Sequence, residues 1–180
     1  MARVPYAKRE DLPEQDRPTY DRMERERGVP TGNIFLALAN APKILDPILS
    51  LAGALRTSIV IEKRFRELGV LMVGLVTKCD YEFDHHWNAA LQAGVRREQL
   101  ENLAAFESSP LFDEAERSVL RFAKESTETG EVADTTWDAL RRHFDVRQAM
   151  EVMLTVAWYN AVVRILLPLQ IEKEGWFKRA

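Results

Sequence analysis

Residues 62–76 read Glu62-Lys63-Arg64-Phe65-Arg66-Glu67-Leu68-Gly69-Val70-Leu71-Met72-Val73-Gly74-Leu75-Val76. Their reading decides the fold. Frequent valine over 70–76 makes a β-strand a fair rival. Charged residues continue the pattern at both ends, however, and the run to residue 78 is too long for a strand, so a buried helix is expected. Gly69 and Gly74 would let another helix approach closely. Outward from this stretch, apolar residues recur mostly at three and four rather than two, and Gly and Pro, eight each, are scattered. Helices are therefore expected over 11–27, 33–40, 42–56, 80–93, 96–106, 113–128, 134–144 and 146–167. Pro18 points to a later start for the first of these. Asp113-Glu114 opens its helix against the positive end of the dipole, Asp145 stands where a helix cap belongs, and Gly94 and Gly130 where helices stop. The fold class is all-α, one domain over 1–180. Its core is near 42–125, with the N-terminal helix 11–27 and the long C-terminal helix 146–167 packed on it.

Composition bounds the function. The chain has 180 residues, 46% hydrophobic and 29% charged, with a formal net charge of -3. A mildly acidic chain offers no field for phosphate backbones, which argues against nucleic acid. The longest uncharged run free of Gly and Pro, Val152 to Val163, lies between Glu151 and Arg164 and is too short to span a bilayer, so no membrane partner is expected. With no apolar leader at the N-terminus, a cytoplasmic location is expected. One cysteine excludes an intrachain dithiol. The helix 146–167 is apolar nearly all round, which suits a core helix or one buried between subunits. A homo-oligomer is expected.

One dense cluster of reactive side chains occurs: Cys79-Asp80-Tyr81-Glu82-Phe83-Asp84-His85-His86. On a helix, Glu82 lies about 60° and His86 about 20° from Cys79, so thiol, carboxyl and imidazole share a stripe. The helix N-terminus would favour thiolate at Cys79, against the negative company of Asp80, Glu82 and Glu67. Glu82-x-x-His85 has the Glu-x-x-His form of di-iron bundles, but those need a second copy, which the chain lacks. No metal is expected. Glu67, twelve residues before Cys79, is either a helix-end residue in water or a buried carboxyl with a raised pKa.

Arg66-Glu67-Leu68-x-x-Leu71, then Cys79-Asp80-Tyr81-Glu82-x-x-x-His86 followed by Ala90, Gly94 and Glu98, resembles the carboxymuconolactone decarboxylase family. The alkylhydroperoxidase D-like proteins belong to the same superfamily. Gly28-Val29-Pro30, Ala41-Pro42, Phe144-Asp145-x-x-Gln148-x-x-Glu151 and Tyr159-Asn160-x-x-x-Arg164 extend the likeness less specifically. The resemblance implies an all-α trimer or hexamer acting on a small molecule near a subunit interface. Glu67, Cys79 and His86 match the hydroperoxidase branch, but Glu82 stands at its second cysteine, so a dithiol cycle within one subunit is impossible. What remains resembles the decarboxylase branch. Glu67, Cys79, Glu82 and His86 are the implied catalytic residues, with His86 as proton donor and Glu82 setting its tautomer. Tyr81, Tyr159, Asn160 and Arg164 are the implied substrate-binding residues. Arg164 would hold a carboxylate or form an ion pair with Glu151. Three readings follow: a cofactor-free lyase first, a one-cysteine peroxidase acting through sulfenic acid second, and an oligomeric binding protein third.

Overall fold

The computed structural model describes all residues, 1–180, and contains nine α-helices and no strand. They are α1 (Arg17–Arg27), α2 (Asn33–Leu38), α3 (Pro42–Thr57), α4 (Lys63–Thr77), α5 (Asp80–Gln92), α6 (Arg97–Glu101), α7 (Glu114–Thr129), α8 (Asp134–His143) and α9 (Val146–Leu169). The stretch 62–78 forms the helix α4, with Glu62 and Lys78 as its flanking caps. The first helix begins at Arg17 rather than residue 11. Pro18 sits in its first turn, where no amide is needed, and two short 3₁₀ turns precede it. The segment 96–106 is likewise shorter than expected, splitting into α6 and a 3₁₀ turn over Leu103–Ala105.

Two compact units make up the chain, a finer division than the single domain read from the sequence: Met1–Ser58 with Ile165–Phe177, and Ile59–Arg164 with Lys178–Ala180. In the first, Leu12, Tyr20, Met23, Ala39, Leu45 and Leu49 bury a core against Phe35, Leu36 and Leu38. Arg22 ties α1 to α3 through Asp46 at 2.7 Å. Neither Thr31 nor Asn33 caps α2 with its side chain. The buried carboxylate of Glu174 accepts the Asn33 amide at 2.6 Å instead.

The second unit is built round α4, whose Leu68, Val70, Leu71 and Val73 are wholly buried. It packs against α5 and α7, and α7 packs against α8. A β-carbon on Gly74 would lie 3.1 Å from the Phe83 nitrogen and 3.2 Å from its Cα, so the bare glycine is what lets α5 approach. At Gly69 the same atom would meet Val156 and Val119 at ordinary distances of 3.6 and 3.7 Å, so only Gly74 carries the expected close approach. Asp113 caps α7, accepting the Glu116 amide at 2.8 Å while Glu116 accepts that of Asp113 at 3.0 Å. Asp145 and Gln148 do the same for α9, at 2.8 and 3.0 Å.

The helix α9 buries Ala149, Val152, Val156 and Val163 in this unit. Its Glu151 accepts the amides of Val60 and Ile61 at 2.8 and 2.9 Å, fixing the entry to α4. Contrary to the reading of Val152–Val163, α9 is long and apolar enough to cross a membrane by length and composition. It has 24 residues and a mean hydropathy of 1.6 over its most apolar stretch, of which 33% is buried. Along the remaining surface Val146, Met150 and Leu154 stand exposed at every fourth position.

Candidate active site

Lys78 adopts a left-handed conformation, φ 54°, and ends α4. The chain reverses there, the Cys79 amide donates to the Gly74 carbonyl at 2.9 Å, and α5 begins at Asp80. This tight return lays α5 along α4 and brings residues nineteen apart into contact.

The site is a line of alternating charges. Arg66 donates through Nε at 2.9 Å and Nη2 at 2.5 Å to Oε1 of Glu67. Oε2 of Glu67 accepts from Nδ1 of His86 at 2.6 Å. Nε2 of His86 faces Oε1 of Glu82 at 3.0 Å, one helical turn back on α5. Glu67 is 1% exposed and Glu82 4%. Tyr159 of α9 packs edge-on against the imidazole, ring centres 4.8 Å apart. Two cations and two anions leave the line formally neutral, which is how four ionised groups tolerate burial.

Burial opposes a charge on His86, but the Glu67 and Glu82 carboxylates and the hydrogen bond to Glu67 favour it, and the imidazole titrates well above its ordinary value. Burial would likewise raise Glu67, yet His86 and Arg66 together hold its carboxyl below the usual range. Glu67 is therefore buried but ionised, which matches neither of the two alternatives read from the sequence. Burial also pushes Tyr159 up, so it is a neutral phenol at physiological pH.

Cys79 is a free thiol, 1% exposed, at the N-terminal boundary of α5. Burial raises its pKa, and the charges of Glu82 and Asp80 add to that, against the opposing backbone amides of Glu82 and Tyr81. The helix N-terminus does not make this thiol acidic.

The structure thus brings Glu67, Glu82, His86 and Tyr159 together, with Cys79 close enough to feel Glu82. The other expected residues stand apart. Tyr81 stacks on His85, ring centres 4.3 Å apart, and His85 Nδ1 meets the Tyr81 carbonyl at 2.8 Å. Glu82 turns to His86, so the Glu-x-x-His pair divides between two neighbours. Asn160 spends its amide on Thr127 of α7, at 2.9 Å. Arg164 is exposed and donates to the Asn160 carbonyl and side-chain oxygens at 2.8 and 2.7 Å. Its expected pairing with Glu151 does not form, since Glu151 is held by the start of α4 and by Arg147. Arg66 also joins this line, and nothing in its spacing announces the contact. Adjacent helical positions do not normally face each other, and only the fold-back of its long side chain brings the guanidinium onto Glu67.

Residues 42–125 match the family model described as the carboxymuconolactone decarboxylase family. Comparison with curated proteins finds no significant match. Among solved structures, the debrominase Bmp8 superposes with a TM-score of 0.80 at 22% identity, over 96% of this chain and 92% of that one. A cysteine-to-alanine variant of it, in complex with 2,3,4-tribromopyrrole, gives 0.80 at 22% identity, over 97% and 93%. An uncharacterized peroxidase-related protein from Ralstonia eutropha, an alkylhydroperoxidase AhpD core, gives 0.79 at 20% identity, over 97% and 93%. At these identities the structures share the AhpD-like helical fold.

Proposed function

From a chain whose residues 42–125 match the carboxymuconolactone decarboxylase family model, and whose imidazole stands between two buried carboxylates, we infer a cofactor-free carboxy-lyase acting on a small lactone or carboxylic acid. The observation that carries this reading is His86, held by Glu67 at 2.6 Å and Glu82 at 3.0 Å and so kept as an imidazolium. Loss of carbon dioxide from such an acid leaves an electron pair on carbon, as a carbanion or dienolate. That charge must be stabilised and then protonated. The imidazolium supplies both the positive field and the proton. Glu67 keeps Nδ1 protonated, a task the sequence assigned to Glu82. Glu82, on Nε2, holds the position a substrate oxygen or carbon would take. Tyr159 closes the edge of the ring.

A thiol reading is favoured by one feature, the placement of Cys79 at the head of the same helix. It would make the chain a one-cysteine peroxidase, or liken it to the debrominase whose tribromopyrrole complex carries a cysteine substitution. The lyase is placed first because peroxide chemistry needs a thiolate, and burial keeps this thiol protonated. The test is decarboxylation of small lactone acids in deuterium oxide. The lyase forms product with one carbon-bound deuterium per turnover, on the former carboxyl-bearing carbon or at the far end of its dienolate, and prior alkylation of Cys79 leaves at least part of the rate. Peroxide turnover abolished by alkylation selects the thiol reading. Silence toward both substrate classes selects a binding protein.

We propose further that the protein assembles with copies of itself through α9. The exposed row Val146, Met150 and Leu154, 63%, 39% and 47% exposed, supports this. A stable monomer in sedimentation at micromolar concentration would refute it.

A further inference from the structure

We propose that Arg66 is a positioning residue that decides which proton of His86 is delivered. It occupies Oε1 of Glu67 with two N–H groups, leaving Oε2 as the only oxygen toward His86. This deepens the proton-donor reading above and rests on it.

The argument is one of competition for a proton. Without a cation beside it, a buried carboxylate 2.6 Å from an imidazolium would draw the Nδ1 proton to itself, giving a neutral acid and a neutral ring. Such a pair has lost the positive charge that the reaction uses. The Arg66 guanidinium is permanently charged and makes Glu67 a poor proton acceptor. Nδ1–H then stays on the ring. The proton free to leave is on Nε2, which faces Glu82 of the same helix. In the step, the Nε2–H bond breaks as the new C–H bond forms at the substrate carbanion, whose electron pair makes that bond. The ring is left neutral with Nδ1–H still on Glu67, and water reprotonates Nε2 through the 18% of the side chain that is exposed.

The groups facing the imidazole are Glu67 from α4, backed by Arg66, Glu82 from α5 and Tyr159 from α9. Of these, Arg66 can be altered without touching the ring's own contacts. Its side chain is 11% exposed, so a polar replacement keeps some access to water.

The test is carbon and nitrogen NMR of the resting protein, with labelled glutamate and histidine. Three histidines in the chain make the ring signals assignable. In the unaltered protein both His86 nitrogens should carry protons at neutral pH, and Glu67 should stay ionised down to below the ordinary carboxyl range. In Arg66→Gln, the Glu67 titration should rise by about 1–3 units, and the Nδ1 proton should become shared with it. Arg66→Lys should rescue part of the shift. A Glu67 titration in folded Arg66→Gln equal to that of the unaltered protein overturns the proposal, as does an unprotonated Nδ1 in the unaltered protein at pH 7. Should Arg66→Gln not fold, Arg66→Lys decides: a smaller upward shift is expected, and none overturns the proposal. Because these signals need no substrate, a silent lyase assay beside the expected NMR result refutes the decarboxylase reading and leaves the role of Arg66 standing.

Discussion

Replacing Glu67 by glutamine changes one charge and almost no volume. The carboxylate presents two acceptor oxygens, Oε1 to Arg66 and Oε2 to His86, both from a site 1% exposed. An amide has one acceptor oxygen and one NH₂. Whichever way it turns, its NH₂ must face a cation that itself only donates. Removing one member of a buried ion pair costs about 3–5 kcal/mol. Since Glu82 still partners His86 at 3.0 Å, the lower end, about 3 kcal/mol, is expected. For a chain of this size that lowers Tm by about 6–12 °C.

The loss should also depend on pH, and its sign can be worked out. Glu67 is held below its ordinary value of 4.5. Its contribution is present above 4.5 and is lost as pH falls through the depressed folded value. His86 is held well above its ordinary value of 6.5. Its contribution is complete below 6.5 and is lost as pH rises through the folded value. The gap between the two proteins should therefore be widest between pH 4.5 and 6.5 and narrow on both sides. Urea unfolding followed by circular dichroism, repeated across this range, measures it. A gap below about 1 kcal/mol, the usual worth of an exposed pair, or a gap that does not vary with pH, would refute the charge line.

On the proposed lyase reading, His86→Ala should cost about 10²–10⁴ in decarboxylation rate, whereas Cys79→Ser should retain a measurable part; steady-state assays on the two variants decide. Cys79 should react slowly with iodoacetamide, with an apparent pKa above the free-thiol value of about 8.5, because the sulfur is buried and its pKa raised; a lower pKa in the alkylation profile contradicts this. Gly74→Ala should destabilise by about 1–3 kcal/mol through overpacking against the Phe83 backbone. Gly69→Ala, which meets only ordinary contacts, should cost less in the same melts.

What was legible in the sequence follows from how local each feature is. The helix at 62–78 could be recognised because its charged flanks and length are properties of the stretch itself. The Glu82–His86 contact could be placed because positions four apart on a helix are neighbours. The state of Glu67 could not. Whether a carboxyl entering an apolar helix is protonated depends on what reaches it from elsewhere, here His86 from α5 and the folded-back guanidinium of Arg66. Tyr159 and Asn160 lie next to each other on one helix and were read together. Their side chains part, one to His86 and the other to Thr127 of α7, because neighbouring positions on a helix point about 100° apart. The dipole at the head of α5 argued for a reactive thiol, and burial, a tertiary property, outweighs it.

Cys79, just before α5, and His86 within it respond to one field. Glu82 raises the pKa of the thiol and of the imidazole alike. A negative potential favours the protonated form of any group inside it, which is a charged ring for histidine and a neutral thiol for cysteine. A proton donor gains from that field, and a nucleophile that must first ionise loses by it. The glutamate at position 82 therefore does more than remove a potential disulfide partner of Cys79. It adds the charge that makes His86 a stronger holder of its proton and Cys79 a weaker acid. Removing that charge is a direct test of the choice between the two chemistries. Glu82→Gln should lower both apparent pKa values together, quickening alkylation of Cys79 while reducing the fraction of imidazolium at pH 8. If only one of the two moves, the shared field is not what sets them, and the preference for proton transfer over thiol chemistry loses its physical basis.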